Sequence, residues 1–363
     1  MTFHAMRTRG RGLLAAAICL FLFPFAAQAQ WWDPPRPGPW KDSSTLGQPT
    51  QPAQPDVPVV YTRQHLERAR RISNAALPNG EFAKLERMHA EFVRDKVRTT
   101  DGTWLVEAVQ EGIDNSLRSP DVVIEGFLRD WERAVPDSKL LPVVKAMRWQ
   151  RAAWNARGGG SSAATPEEAR QLFREGLAKA AKALKDSEAA GKETPLWYWT
   201  ALIVAGSSGA STEAFDTLFD EATARFPTYH TFYYTRVNYL LPQWGGNFKR
   251  IDAFVQQSVK RTSATEGSAF YAWIYLDVLQ NISGDYLQVT EATWPKMKQA
   301  FDDLVTRYPD SWNRNLYATF ACRARDRETT ARLLGTLGKE AKLGAWSPGI
   351  TTEGCTRFAF DKV

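Results

Sequence analysis

The segments "TLFDEATARFPTY" at 217–229 and "QAFDDLVTRYPDS" at 299–311 carry the same local instruction twice. Counting back from Pro227 by 12, 8 and 5 residues gives Phe215, Phe219 and Ala222, and the same count from Pro309 gives Met297, Phe301 and Leu304. From Pro136 it gives Ile124, Leu128 and Trp131. Apolar residues at three- and four-residue steps line one face of a helix, and proline, lacking an amide hydrogen, ends it. The three segments therefore predict helices with a single buried stripe and a common stop.

Working outward, helix-length segments punctuated by Pro and Gly continue through the chain, and almost no alternating strand pattern interrupts them. Helices are expected near 61–76, 81–98, 104–117, 120–134, 138–156, 166–190, 195–206, 212–225, 228–240, 247–261, 265–281, 291–307, 311–324 and 327–338. This is an all-α chain of helical hairpins, stacked either as an α-solenoid or as a bundle. The offsets before the prolines match the second helix of a tetratricopeptide repeat, and Trp199 and Leu202 stand where its first helix carries Trp and Leu. Pro227 and Pro309 are 82 residues apart, not at the regular period of about 34, so the expected solenoid is degenerate.

The ends of the chain read differently. Arg7, Arg9 and Arg11, the apolar run 13–25 and Ala27-Gln28-Ala29 have the order of a secretory signal over 1–29, with cleavage after Ala29. The run is too short to span a hydrocarbon core of about 30 Å, so no retained transmembrane segment is expected. Residues 30–60, "QWWDPPRPGPWKDSSTLGQPTQPAQPDVPVV", form a Pro-rich tether that cannot build a core. The repeat-like domain is then 61–343, followed by a C-terminal tail at 344–363. Loss of 1–29 removes three arginines and no acid, taking the formal charge from +6 to +3. Such a balance shows no nucleic-acid footprint. Of three cysteines, Cys322 and Cys355 remain, and in a secreted or periplasmic protein they are expected to form a disulfide.

Two glycine boxes invite a phosphate-loop reading. "AWNARGGGSS" at 153–162 lacks the following Lys and the preceding strand, and Thr165, Pro166 and Glu168 signal a capped helix start. "LLPQWGGN" at 240–247 likewise joins two helices. With "DKVRTTDGTWLVEAV" at 95–109, these boxes resemble a bacterial family of exported or membrane-linked proteins known only as a domain of unknown function, of helical, tetratricopeptide-like character. The resemblance covers roughly 75–340. It implies a fold and an export context but no reaction, and carries over no catalytic residue.

Chemistry is sparse. His65, His89 and His230 are not paired at metal spacing, and no hydrolase or zinc motif occurs. No cofactor is expected. His230 and Tyr233, beside Tyr234, form an aromatic segment able to meet a sugar, an anion or a peptide carboxylate, or simply to pack in a core. Arg148, Arg151, Trp154 and Arg157, with Trp244, are candidate contacts for a protein or peptide of the cell envelope. The leading expectation is a binding or scaffolding module. The alternative is a cell-envelope hydrolase using an acidic residue in a cleft.

Overall fold

A computed structural model describes residues 60–159, 164–282, 284–340 and 350–361. The expected signal segment with Ala29, the expected tether up to residue 59 and the end of the first glycine box, 160–162, lie outside the described residues. Among the described residues the fold is 76% helical, with 17 helices and no strands. In order these are α1 (Arg63–Ala76), α2 (Phe82–Arg94), α3 (Leu105–Ser116), α4 (Asp121–Ala134), α5 (Leu141–Arg157), α6 (Glu167–Asp186), the single turn α7 (Glu188–Gly191), α8 (Pro195–Ser207), α9 (Thr212–Arg225), α10 (His230–Asn238), α11 (Phe248–Glu266), α12 (Ala269–Leu279), the single turn α13 (Tyr286–Val289), α14 (Trp294–Arg307), α15 (Ser311–Arg323), α16 (Arg327–Leu337) and α17 (Thr352–Phe360). Every helix expected from the sequence is present. The second one stops at Arg94, where an irregular turn begins.

The three proline-terminated helices α4, α9 and α14 end alike. Val135, Phe226 and Tyr308 have φ/ψ of −137°/75°, −129°/69° and −127°/76°, because the ring of the following proline excludes the helical region at the residue before it. All nine stripe residues counted back from these prolines are buried. Phe219 of α9 meets Tyr233 of α10 edge-on at 5.3 Å, and Phe301 of α14 stacks on Tyr317 of α15 at 5.1 Å. A second recurring clasp joins a tyrosine hydroxyl to a carboxylate of the paired helix: Tyr198 to Glu221, Tyr275 to Asp252 and Tyr317 to Asp302. Asp216, Asp220 and Glu221 of α9 and Asp302 and Asp303 of α14 thus stand on the rim of the hairpins, where each is paired.

Within hairpins α5 packs on α6, α8 on α9, α11 on α12 and α15 on α16, while α8, α10 and α12 lie successively side by side. The N-terminal helices close against this row through the turn 95–104. Arg98 there donates from Nη1 to Glu266 Oε1 (3.2 Å) and to the Tyr308 hydroxyl (2.7 Å), and from Nη2 to Thr228 Oγ1. Thr228 follows Pro227 and Tyr308 precedes Pro309, so one guanidinium holds both echoed turns. Trp104 Nε1 donates to the Thr228 carbonyl at 2.8 Å, and Asn313 Nδ2 donates to the Asp101 carbonyl at 3.1 Å. Gly102 has φ +91°, and a β-carbon there would stand 3.0 Å from Trp273 and 3.1 Å from Tyr308. Only glycine lets the turn approach so closely.

At the C-terminus, the span read as a tail contains α17, which packs on α15 and α16. Cys322 and Cys355 are disulfide-bonded, with Cα atoms 5.8 Å apart, as expected.

Two stability changes follow. Replacing Arg98 by Met leaves Glu266, 3% exposed at its side chain, as an unpaired buried charge, and is expected to cost about 3 kcal/mol or more in urea unfolding. Cys355→Ser, which frees a closed loop spanning 33 residues, should lower stability by about 3 kcal/mol and expose the chain beyond residue 340 to limited proteolysis.

Candidate functional site

The fold sorts the candidate residues into three settings. Arg148 is 7% exposed and held by Glu125 (2.9 Å) and Asp121 (3.6 Å), with its guanidinium over the Trp149 ring. Arg151 is paired with Asp114. Both charges are spent inside the N-terminal helices. Tyr233 is fully buried and donates its hydroxyl to the Pro227 carbonyl at 2.5 Å, so it supports the turn before α10.

Trp154, Arg157 and Trp244 come together. The two glycine boxes, far apart in sequence, meet where the end of α5 faces the short 3-10 turn Pro242–Trp244. The Trp154 and Trp244 rings stand edge to face at 6.0 Å, and the Arg157 guanidinium lies 5.2 Å from the first and 5.9 Å from the second. Phe173 of α6 and Tyr239 extend the cluster. Trp154 Nε1 donates to Ser207 Oγ at 3.2 Å, and Ser207 is hydrogen-bonded to Tyr239, which fixes the indole. Gly158, at φ +72°, ends α5 and turns the chain beside it. Trp244 remains 47% exposed. An anchored ring set with a guanidinium and one open indole has the composition that concentrates binding energy at protein interfaces.

His230 belongs to a separate interior site on α3, α10 and α12. Its Nδ1 faces Glu107 Oε1 at 3.9 Å, its ring lies 4.1 Å from that of Trp273, and Tyr234 is one helical turn on. Neither His230 Nε2 nor Glu107 Oε1 has a hydrogen-bond partner among the described residues. Asp277 of α12 extends the acidic lining beside Asn238, 3.5 Å away. Burial, reinforced by Glu111 and Asp101, pushes the Glu107 carboxyl up to about 8 against the smaller opposing pull of Arg98, and burial alone pushes Asp277 to about 7. Burial, with Arg98 nearby, holds the His230 imidazole well below its ordinary value. Near neutral pH the pair is a largely protonated carboxyl beside a neutral imidazole, able to hold or donate a proton.

His65 caps α1 with Thr62, and His89 bonds Thr194 at 2.8 Å. Among the described residues no three His, Cys, Asp or Glu side chains are grouped to hold a metal ion, and no helix is long and apolar enough to cross a membrane. Glu107, Asp277 and Arg98 were not singled out from sequence. The available signal was a lone acid within an apolar helix, as in "AFYAWIYLDVL" and "WLVEAV". Comparison of the chain with protein-family models, curated proteins and solved structures found no match.

Glu107 and Asp277 bind their protons more tightly folded than unfolded, so their contribution to stability falls as pH rises from the ordinary carboxyl range through 7 and 8. His230 does the opposite, and its loss comes only below its ordinary value of 6.5. The melting temperature should therefore fall between pH 6.5 and 8.5, and the decline should be visibly shallower in Glu107→Gln. Equal slopes in calorimetry would show that Glu107 titrates normally.

Proposed function

We propose that this is an exported, tetratricopeptide-like protein of the cell envelope, its hairpins stacked as a degenerate α-solenoid, that binds a protein or peptide partner without a cofactor. The observation that carries the reading is the half-exposed Trp244 on the fixed Trp154–Arg157 platform. Export is supported by the signal pattern of 1–29 and by a disulfide, which persists in oxidising compartments. The resemblance of the three sequence boxes to an exported family of unknown function points the same way.

Because Arg148 and Arg151 are structural, the informative variants are Trp244→Ala and Arg157→Ala. Each should keep the melting temperature of the parent protein while weakening capture of the envelope partner at least tenfold, a loss of about 1.4 kcal/mol. Undiminished capture by both would remove this surface as the contact. The alternative, an acidic envelope hydrolase, is favoured by one feature, the protonated Glu107 carboxyl. It requires peptidoglycan or peptide turnover that Glu107→Gln abolishes.

A further inference from the structure

We propose that the interior site formed by Glu107, His230, Tyr234, Trp273 and Asp277 binds an organic cation, a primary ammonium or guanidinium such as a lysine or arginine side chain presents. The cations around it are already committed. Arg98 is held by Glu266, Tyr308 and Thr228, Arg63 by Asp101, and Arg70 by Glu111 and Glu67. Glu107 and Asp277 have no Lys or Arg partner among the described residues. His230 faces Glu107 at 3.9 Å with a side chain 4% exposed, and its Nε2 has no hydrogen-bond partner among the described residues. A neutral imidazole and a carboxyl present acceptors to an incoming N–H donor.

The walls fit the same ligand. Trp273 packs on His230 at 4.1 Å and Tyr234 stands on the next turn, so two aromatic side chains border the carboxyls. Aromatic faces attract cations most strongly where water is excluded. Glu107 Oε1 and His230 Nε2 are buried, while Glu107 keeps 15% of its side chain exposed and Tyr234 and Asp277 are half-buried. An anion is disfavoured by the lining, since Glu111 of α3 and Asp101 of the 95–104 turn add negative charge around Glu107, with Arg98 as the nearby countercharge, and Glu107, Asp277 of α12 and Asp101 do so around Tyr234.

Binding has a proton balance. The neutral carboxyl releases its proton to solvent, the carboxylate pairs with the bound cation, and the cation keeps its own protons. Isothermal titration of the mature chain with N-acetyl-lysine methylamide and N-acetyl-arginine methylamide tests this, with N-acetyl-norleucine methylamide as the isosteric neutral probe. In two buffers of different ionisation enthalpy at pH 7, a cationic probe should release close to one proton, and it should bind roughly fifty-fold tighter at pH 8 than at pH 6. Glu107→Gln should lose the proton release and about tenfold in affinity, and Asp277→Asn should weaken binding without removing the release. Trp244→Ala should leave the titration unchanged, which separates this site from the proposed partner surface. The inference is overturned if neither cationic probe binds more tightly than the norleucine probe, or if a well-folded Glu107→Gln releases the proton as before. Should Glu107→Gln fail to melt cooperatively, the comparison of probes on the parent protein decides alone.

Discussion

One guanidinium holds the two halves of the molecule together. Arg98 leaves an irregular turn, crosses the face of Trp104 with its guanidinium 4.8 Å from the ring, and bonds groups on either side of two proline turns that belong to different hairpins. Its planar fork of donors suits three acceptors in different directions, which an ammonium on a flexible stem would satisfy less well. The close approach of Gly102 to Trp273 and Tyr308 depends on the same placement. Arg98 acts with Trp104 on the Thr228 carbonyl, Asn313 on the Asp101 carbonyl and Tyr229 on Gln110 to seat the N-terminal helices against the later hairpins.

That closure has an electrostatic cost. It brings Glu107 toward Asp101 and Glu111, with Asp277 on the other side of Tyr234, and burial disfavours the charged form of Glu107 and of Asp277. Glu107 responds by holding its proton to about 8. A stability-optimised interior would place apolar side chains here, and a local rule broken inside an otherwise consistent core is where function is sought. The Tyr–carboxylate clasps at Tyr198, Tyr275 and Tyr317 show the contrasting case, since each acid accepts a tyrosine hydroxyl, with Lys192 added at Glu221 and the Gln256 amide at Asp252.

The aromatic corner is built on different physics. Trp154 is pinned through Ser207 and Tyr239, so the rings hold their geometry before any partner arrives. Rigid aromatic anchors lose little conformational entropy on association, which is why such clusters dominate interface energetics. Gly158 and the paired glycines after Trp244 matter because they let two helices end and turn within reach of each other.

Much of the fold was legible in the chain, because helix formation is local. The stripe from Phe215 to Ala222 and the proline after it determine a helix, its buried face and its end through neighbours at most a dozen residues away, and the same rule recovered Met297 to Leu304 and Ile124 to Trp131. The pairing of Cys322 with Cys355 was also legible, since only two cysteines follow residue 29. α17 was not, because its short amphipathic segment is stabilised by docking on α15 and α16 and by the disulfide. Arg148, Arg151, Arg157 and Trp154 look equivalent along one helix, yet packing buries the first two against acids of α3 and α4 and brings the others to Trp244. His230 was visible as a residue, but its partner Glu107 lies 123 positions earlier. Periodicity determines which face of each helix is buried; only the tertiary packing decides which polar groups meet there, because burial and proximity set their charge and those exist only once the distant segments are assembled.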